Sequence, residues 1–263
     1  MTAIASRGLT LSYQRQVIID DLDVALPKGE VSVLIGGNGS GKSTLLKSFA
    51  RLLKPQQGTV LLNGSDIQHK ATAEVARELA ILPQMPSPPE GISVRQLVSL
   101  GRYPYQNWLQ QWSVQDEAMV NHALERTGMS ALAERPVDAL SGGQRQRAWI
   151  AMTLAQDTDT LLLDEPTTFL DLAHQIEVLD LLKELNRHEG KTIVMVLHDL
   201  NLACRYADHM LVVHDRTVFA KGKPEAILTE QLVKTVFDLN CRIIPDPFFA
   251  TPLCIPFGRE LPP

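Results

Sequence analysis

Apolar and polar positions along this chain change period several times, and each change marks an element. Near the start Leu9, Leu11 and Tyr13 alternate with polar residues, as do Leu22, Val24 and Leu26 ahead of a Pro27, Lys28, Gly29 turn. That period of two predicts antiparallel, half-exposed strands. Residues 31–35 form a short, mostly apolar run, followed by a glycine-dense stretch and then by Leu45, Leu46, Phe49, Leu52 and Leu53 at helical spacing. The predicted order is strand, glycine loop, helix.

A strand resumes over 58–62, Asn63 and Gly64 form a strong turn signal, and 72–79 reads as a short helix before an apolar 80–82. Pro83, Pro86, Pro88, Pro89 and Gly91 then deny regular structure. Beyond them 93–100 and 113–127 read as helices, separated by an aromatic segment holding Tyr103, Tyr105 and Trp108. From 141 onward helices (141–156, 172–188, 200–207) alternate with strands (161–163, 192–197, 210–213, 218–220), the pattern of a mostly parallel sheet. A helix over 229–237 precedes a Pro-rich tail expected to be extended. No internal repeat is visible.

Composition narrows the function classes. The 263 residues can bury a sizeable core, and 44% apolar with 21% charged is ordinary for a globular chain. A net charge of −5 argues against nucleic acid as partner. Cys204, Cys241 and Cys254 follow no metal or disulfide spacing, and suit a reducing cytoplasm. Residues 1–13 lack the order of a secretory signal and no apolar run reaches about 18 residues, so a transport role requires separate membrane subunits.

Gly36, Gly37, Asn38, Gly39, Ser40, Gly41, Lys42 and Ser43 satisfy G-x-x-x-x-G-K-[ST] between an apolar strand and a helix. Backbone N–H groups of such a loop make an anion nest, the helix start adds positive potential, and Lys42 neutralises β and γ phosphates. Ser43 is placed to ligate Mg²⁺, with Thr44 beside it. After the apolar 161–163 come Asp164 and Glu165. Asp164 suits a Mg²⁺ contact and Glu165 can orient or deprotonate an attacking water, although Pro166 also allows a plain acidic turn. Ser141, Gly142, Gly143 and Gln144 read as a capping box, but two glycines in a first helical turn forgo up to about 1 kcal/mol each relative to Ala, which suits a close backbone or phosphate approach.

Leu140 to Gln144 is moreover the signature of ABC ATPases, and the chain resembles ATP-binding subunits of ABC transporters along nearly its whole length. The resemblance implies an α/β fold: a P-loop NTPase with a RecA-like core, an antiparallel β subdomain and an α-helical subdomain. Residues 1–240 would be the ATP-binding domain, with the helical subdomain near 85–157, and 241–263 a tail. It implies ATP and Mg²⁺, and a head-to-tail homodimer in which the signature faces the nucleotide held by the other subunit. Tyr13 then stacks on adenine, though a strand-end Tyr can equally be packing. Gln84 touches Mg²⁺ and the attacking water, His198 contacts the γ-phosphate, and Asp171 crosses the dimer interface while also suiting an N-cap. Gly37 departs from the family pattern, where Pro is usual.

Residues 92–105, together with Thr167 and Thr168 in the segment 164–171 and the segment 17–22, resemble ATPases of ferric-siderophore, haem and cobalamin importers. This implies a peripheral subunit on the cytoplasmic side of the inner membrane, a permease partner and, indirectly, an extracytoplasmic binding protein. Arg102, Tyr103, Tyr105 and Trp108 are expected at the permease contact, with internal packing of the aromatics as the alternative. An exporter or lipid-transporter ATPase, and a non-transport soluble ABC ATPase, stay open. His69, His122, His174, His188, His209 and His214 lack ligand spacing and are assigned to surface or packing.

Overall fold

The computed structural model describes residues 1–13, 16–84, 90–106 and 112–257. In chain order its elements are β1 (Thr2–Tyr13), β2 (Gln16–Pro27), β3 (Val31–Ile35), α1 (Lys42–Phe49), β4 (Gln57–Leu62), β5 (Ser65–Asp66), α2 (Thr72–Glu78), β6 (Leu79–Leu82), α3 (Val94–Ser99), α4 (Val114–Arg126), α5 (Gly142–Ala155), β7 (Thr160–Leu163) and α6 (Leu172–Glu189). There follow β8 (Thr192–Val196), α7 (Leu200–Tyr206), β9 (His209–His214), β10 (Thr217–Gly222), α8 (Pro224–Ile227), α9 (Glu230–Phe237), β11 (Cys241–Pro245) and β12 (Pro252–Pro256). They divide into two compact units, Met1–Gln68 with Thr192–Pro263, and His69–Lys191.

In the first unit β2, β1, β4 and β5 form an antiparallel sheet in that order. β2 shows the alternating burial that the period of two foretells, whereas in β1 Leu9, Thr10 and Leu11 are buried in succession. Within a second sheet β3 pairs in parallel with both β8 and β9, and β10 closes one edge antiparallel to β9. Every residue of β3 and β8 is buried, including Ser32 and Thr192, which is why both read as mostly apolar runs rather than alternating ones. Leu45, Leu46 and Phe49 bury one face of α1.

Over residues 241–257 the tail adds to the expectation. It is extended but paired: β11 and β12 make an antiparallel hairpin, with Cys241 opposite Pro256 and Ile243 opposite Cys254. Asp246 builds its turn by accepting from the N–H groups of Phe248 (2.8 Å) and Phe249 (3.0 Å). Asn201 of α7 brackets Cys254, accepting from its N–H at 2.7 Å and donating to its carbonyl at 3.2 Å. Cross-strand partners of this kind leave no periodic trace in a Pro-rich segment. The three cysteines are free and buried. Burial pushes the thiols of Cys204 and Cys254 up to about 12.

In the second unit β6 and β7 pair in parallel, and α3, α4 and α5 pack together. Ser93 and Ser113 cap α3 and α4 with complete capping boxes closed by Gln96 and Asp116. A 3₁₀ turn, Leu100–Tyr105, follows α3 and overturns one expectation. Arg102 is not at the surface: it is 1% exposed, its Nε donates to Asp116 Oδ1 at 2.8 Å, and Nη1 donates to the Ala155 carbonyl at 2.7 Å. Its guanidinium also lies 3.9 Å from the Tyr105 ring centre. Gly101 allows this, because a Cβ there would come within 2.2 Å of the Met152 carbonyl oxygen. Arg102 therefore serves internal packing and cannot contact a permease. Tyr103 on the same turn is 76% exposed. Trp108 lies outside the described residues. Among the described residues no helix is long and apolar enough to cross a membrane.

Candidate functional site

In the first unit the glycine loop leaves the end of β3 and turns into α1. Gly36 has φ +150°, and a Cβ on it would lie 2.2 Å from the Val213 carbonyl oxygen. Gly41, the N-cap of α1, has φ +103°, and its Cβ would meet Ile18 Cγ2 at 2.8 Å. Only glycine satisfies both the dihedral and the space. At Gly37 a Cβ would make only an ordinary 3.7 Å contact with the Val236 carbonyl, so the first unit does not demand glycine there.

Lys42 is buried, and its Nζ donates to the carbonyl oxygens of Gly36 and Gly37, both at 2.9 Å. The ammonium is thus held inside the curl of the loop. No acidic side chain occupies the first turn of α1 itself. Beside the loop a cleft of about 340 Å³ is bounded by Gly37, Asn38, Gly39 and Ser40, by Gln16, Val17 and Ile18, and by the turn around Asp215. Ser43 and Thr44 are half-buried in the first turn of α1. Tyr13 ends β1 with 63% of its surface open, so packing does not consume it. His198 follows β8 and is exposed.

In the second unit Asp164 extends the β6–β7 ladder by one bond, its N–H donating to the Leu82 carbonyl at 2.9 Å. Its carboxylate is consequently buried at the end of β7. Glu165 turns out of the strand with φ +54°, a conformation that costs a non-glycine residue about 1–3 kcal/mol. Thr168 holds the turn: its N–H donates to the Glu165 carbonyl at 3.2 Å and its Oγ1 to Glu165 Oε2 at 2.9 Å. The sequence marks Thr168 only through the importer resemblance of 164–171; its hold on Glu165 leaves no signal beyond the i, i+3 spacing. Gln84 is exposed just beyond β6.

The first turn of α5 carries a full capping box. Gln144 N–H donates to Ser141 Oγ at 3.3 Å and Ser141 N–H to Gln144 Oε1 at 3.1 Å. The two glycines differ. Gly142 is exposed, and a Cβ on it would have Leu170 Cδ2 at 3.7 Å; a Cβ on Gly143 would lie 2.4 Å from His174 Cδ2. Part of what the paired glycines were expected to serve is therefore met by a ring of the same chain. Asp171 caps α6, accepting from the His174 N–H at 2.9 Å. The backbone bond from His174 first, and the ring of His174 second, hold the Asp171 carboxyl below the usual carboxylate range. Either side of it Phe169 and Leu172 are 82% and 68% exposed, an apolar outlay not explained within the unit.

The family model for the ABC transporter matches residues 19–168, more than half of the chain. The chain belongs to the ABC transporter family. It is an ATP-binding subunit of that family, and such subunits hydrolyse ATP to power transport. This ABC protein is 79% identical over 262 residues to the achromobactin transport ATP-binding protein CbrD of Dickeya dadantii, covering 100% of this chain and 97% of the relative. It is 49% identical over 254 residues to the ferric enterobactin transport ATP-binding protein FepC of Escherichia coli, covering 97% and 94%. Among solved structures, a subunit of an ABC transporter in an inward-facing conformation superposes with a TM-score of 0.85 at 29% identity, covering 98% of each chain. The ATP-binding cassette MJ0796, a dimer bound to ADP and Pi, superposes with a TM-score of 0.74 at 26% identity over 84% of this chain and 98% of that one.

Proposed function

We propose that this subunit drives import of a ferric siderophore, working as a head-to-tail pair on a separate membrane permease at the cytoplasmic face of the inner membrane. The observation that carries the reading is the 79% identity, over the whole chain, to an achromobactin transport subunit. Relatives named for siderophore, petrobactin and ferric enterobactin transport at 62%, 62% and 49% identity support it.

In this reading Gly36, Gly37, Asn38, Gly39, Ser40, Gly41 and Thr44 cradle the phosphates of ATP, and Lys42 exchanges the Gly36 and Gly37 carbonyls for β and γ oxygens. Tyr13 stacks on the adenine. Ser43, Gln84 and Asp164 offer a hydroxyl, a carboxamide oxygen and a buried carboxylate, hard oxygen donors that fit Mg²⁺. When bound, that ion neutralises charge on the transferred phosphoryl group. Glu165, braced by Thr168, orients and deprotonates the water that attacks in line, and His198 binds the γ-phosphate.

Ser141, Gly142, Gly143 and Gln144 then meet the nucleotide held by the partner, and Asp171 crosses to it. Exposed Phe169 and Leu172 give that contact an apolar component. Tyr103 and Leu100, both open to solvent, suit the permease contact. A substrate-loaded extracytoplasmic binding protein acts on the permease rather than on this chain. The test is reconstitution with the permease in liposomes: ATP turnover rises when binding protein loaded with ferric siderophore is added. Turnover indifferent to it, but raised by a lipid or drug in the bilayer, would establish an exporter ATPase instead. Activity needing no permease at all would establish a non-transport ATPase.

A further inference from the structure

The sequence assigns His174 to surface or packing, yet it touches two segments to which the proposed function gives a role in the dimer. Its Nδ1 lies 2.7 Å from Asp171 Oδ1. A carboxylate can only accept, so Nδ1 carries the hydrogen and donates. The same Oδ1 accepts the His174 backbone N–H at 2.9 Å, so the carboxylate is gripped from two directions by one residue. The opposite edge of the ring rests on the signature turn: a Cβ on Gly143 would fall 2.4 Å from Cδ2, 2.9 Å from Cγ and 3.2 Å from Nε2. The imidazole is thus wedged between the N-cap of α6 and the first turn of α5.

We propose that His174 is a positioning residue for ATP hydrolysis, fixing Asp171 relative to the signature glycines so that both reach the partner's nucleotide in one geometry. Three features favour this over plain packing. The ring is a hydrogen-bonded wedge rather than an apolar filler, it abuts backbone where any side chain is excluded, and the N-cap duty of Asp171 is already met by the His174 N–H without the ring. The inference rests on the head-to-tail reading above, since Asp171 and Gly143 matter to turnover only if they face a second subunit.

The test uses the full chain in complex with its permease, with His174→Ala, His174→Asn, Gly143→Ala, Asp171→Ala and the double variant Gly143→Ala/His174→Ala. Fluorescent ATP analogue binding to the dilute, isolated chain reads its own phosphate loop, and kcat reads the assembled pair. His174→Ala is expected to lower kcat about tenfold, within the range for a displaced catalytic framework, and to leave analogue affinity unchanged. His174→Asn, whose amide can donate in the place of Nδ1, is expected to restore most of kcat. Gly143→Ala, obstructed by the ring, is expected to regain activity when the ring is also removed, against additivity. If His174→Ala keeps kcat within about twofold while Asp171→Ala lowers it, the proposal falls and the dimer reading survives. If Asp171→Ala and Gly143→Ala both leave kcat intact, both fall.

Discussion

Replacing Asp116 with Asn tests how the second unit is held together. Asp116 is an acceptor on both oxygens: Oδ1 takes Arg102 Nε at 2.8 Å, and Oδ2 takes Ser113 N–H at 2.9 Å and Ser113 Oγ–H at 2.7 Å. An amide of the same shape offers one acceptor oxygen and one NH₂, so one of these donors must face another donor. The substitution also leaves the Arg102 guanidinium buried without its counter-charge. Breaking a buried ion pair on one side costs about 3–5 kcal/mol, and at roughly 2–4 °C per kcal/mol for a chain of this size Tm should fall by about 10 °C. Urea unfolding followed by fluorescence is a suitable assay, because Trp149 is buried on α5 in the same unit. Burial pushes the Asp116 carboxyl up, but the hydrogen bonds from Ser113 and Arg102 outweigh it and hold it below the ordinary value. Its stabilisation is therefore present above the unfolded-state value near pH 4 and is lost as pH falls through the lower folded one, so the gap between wild type and Asp116→Asn must close in acid. The double variant Arg102→Met/Asp116→Leu, which removes both charges, should recover most of the loss. A loss below about 1 kcal/mol at pH 7 would refute the claim that this pair is buried and mutually dependent.

Glu165→Gln should retain ATP binding and accumulate an ATP-bound dimer in size-exclusion chromatography; undiminished turnover would remove Glu165 from its role. Lys42→Ala should weaken ATP binding about 10- to 150-fold, the worth of a charge-assisted hydrogen bond, measured by titration calorimetry. Tyr103→Ala should leave stability within about 0.5 kcal/mol, as expected of an exposed site, yet reduce co-purification of the permease. Cys204 and Cys254, buried and with thiols raised to about 12, should resist iodoacetamide at pH 8 in the folded chain and be alkylated once it unfolds, as counted by mass spectrometry.

By itself the sequence determined whatever is written in adjacent residues. Period-two alternation gave β1 and β2, mostly apolar runs gave β3, β7 and β8, and the glycines, Lys42 and Ser43 declared a phosphate loop, because each rests on local spacing and backbone rules. The caps at Ser141 and Asp171 were equally local. Only the tertiary structure decided which distant residues share a space. Arg102 looked like a surface cation until Asp116 and Ala155, 14 and 53 residues away, closed over it. The Pro-rich tail became a hairpin through pairing that no periodicity encodes. His174 had no ligand spacing to announce it, since what matters about it is a ring pressed against Gly143, 31 positions earlier. Long-range contacts are chosen by burial and shape rather than by sequence neighbours, so they cannot be legible one segment at a time.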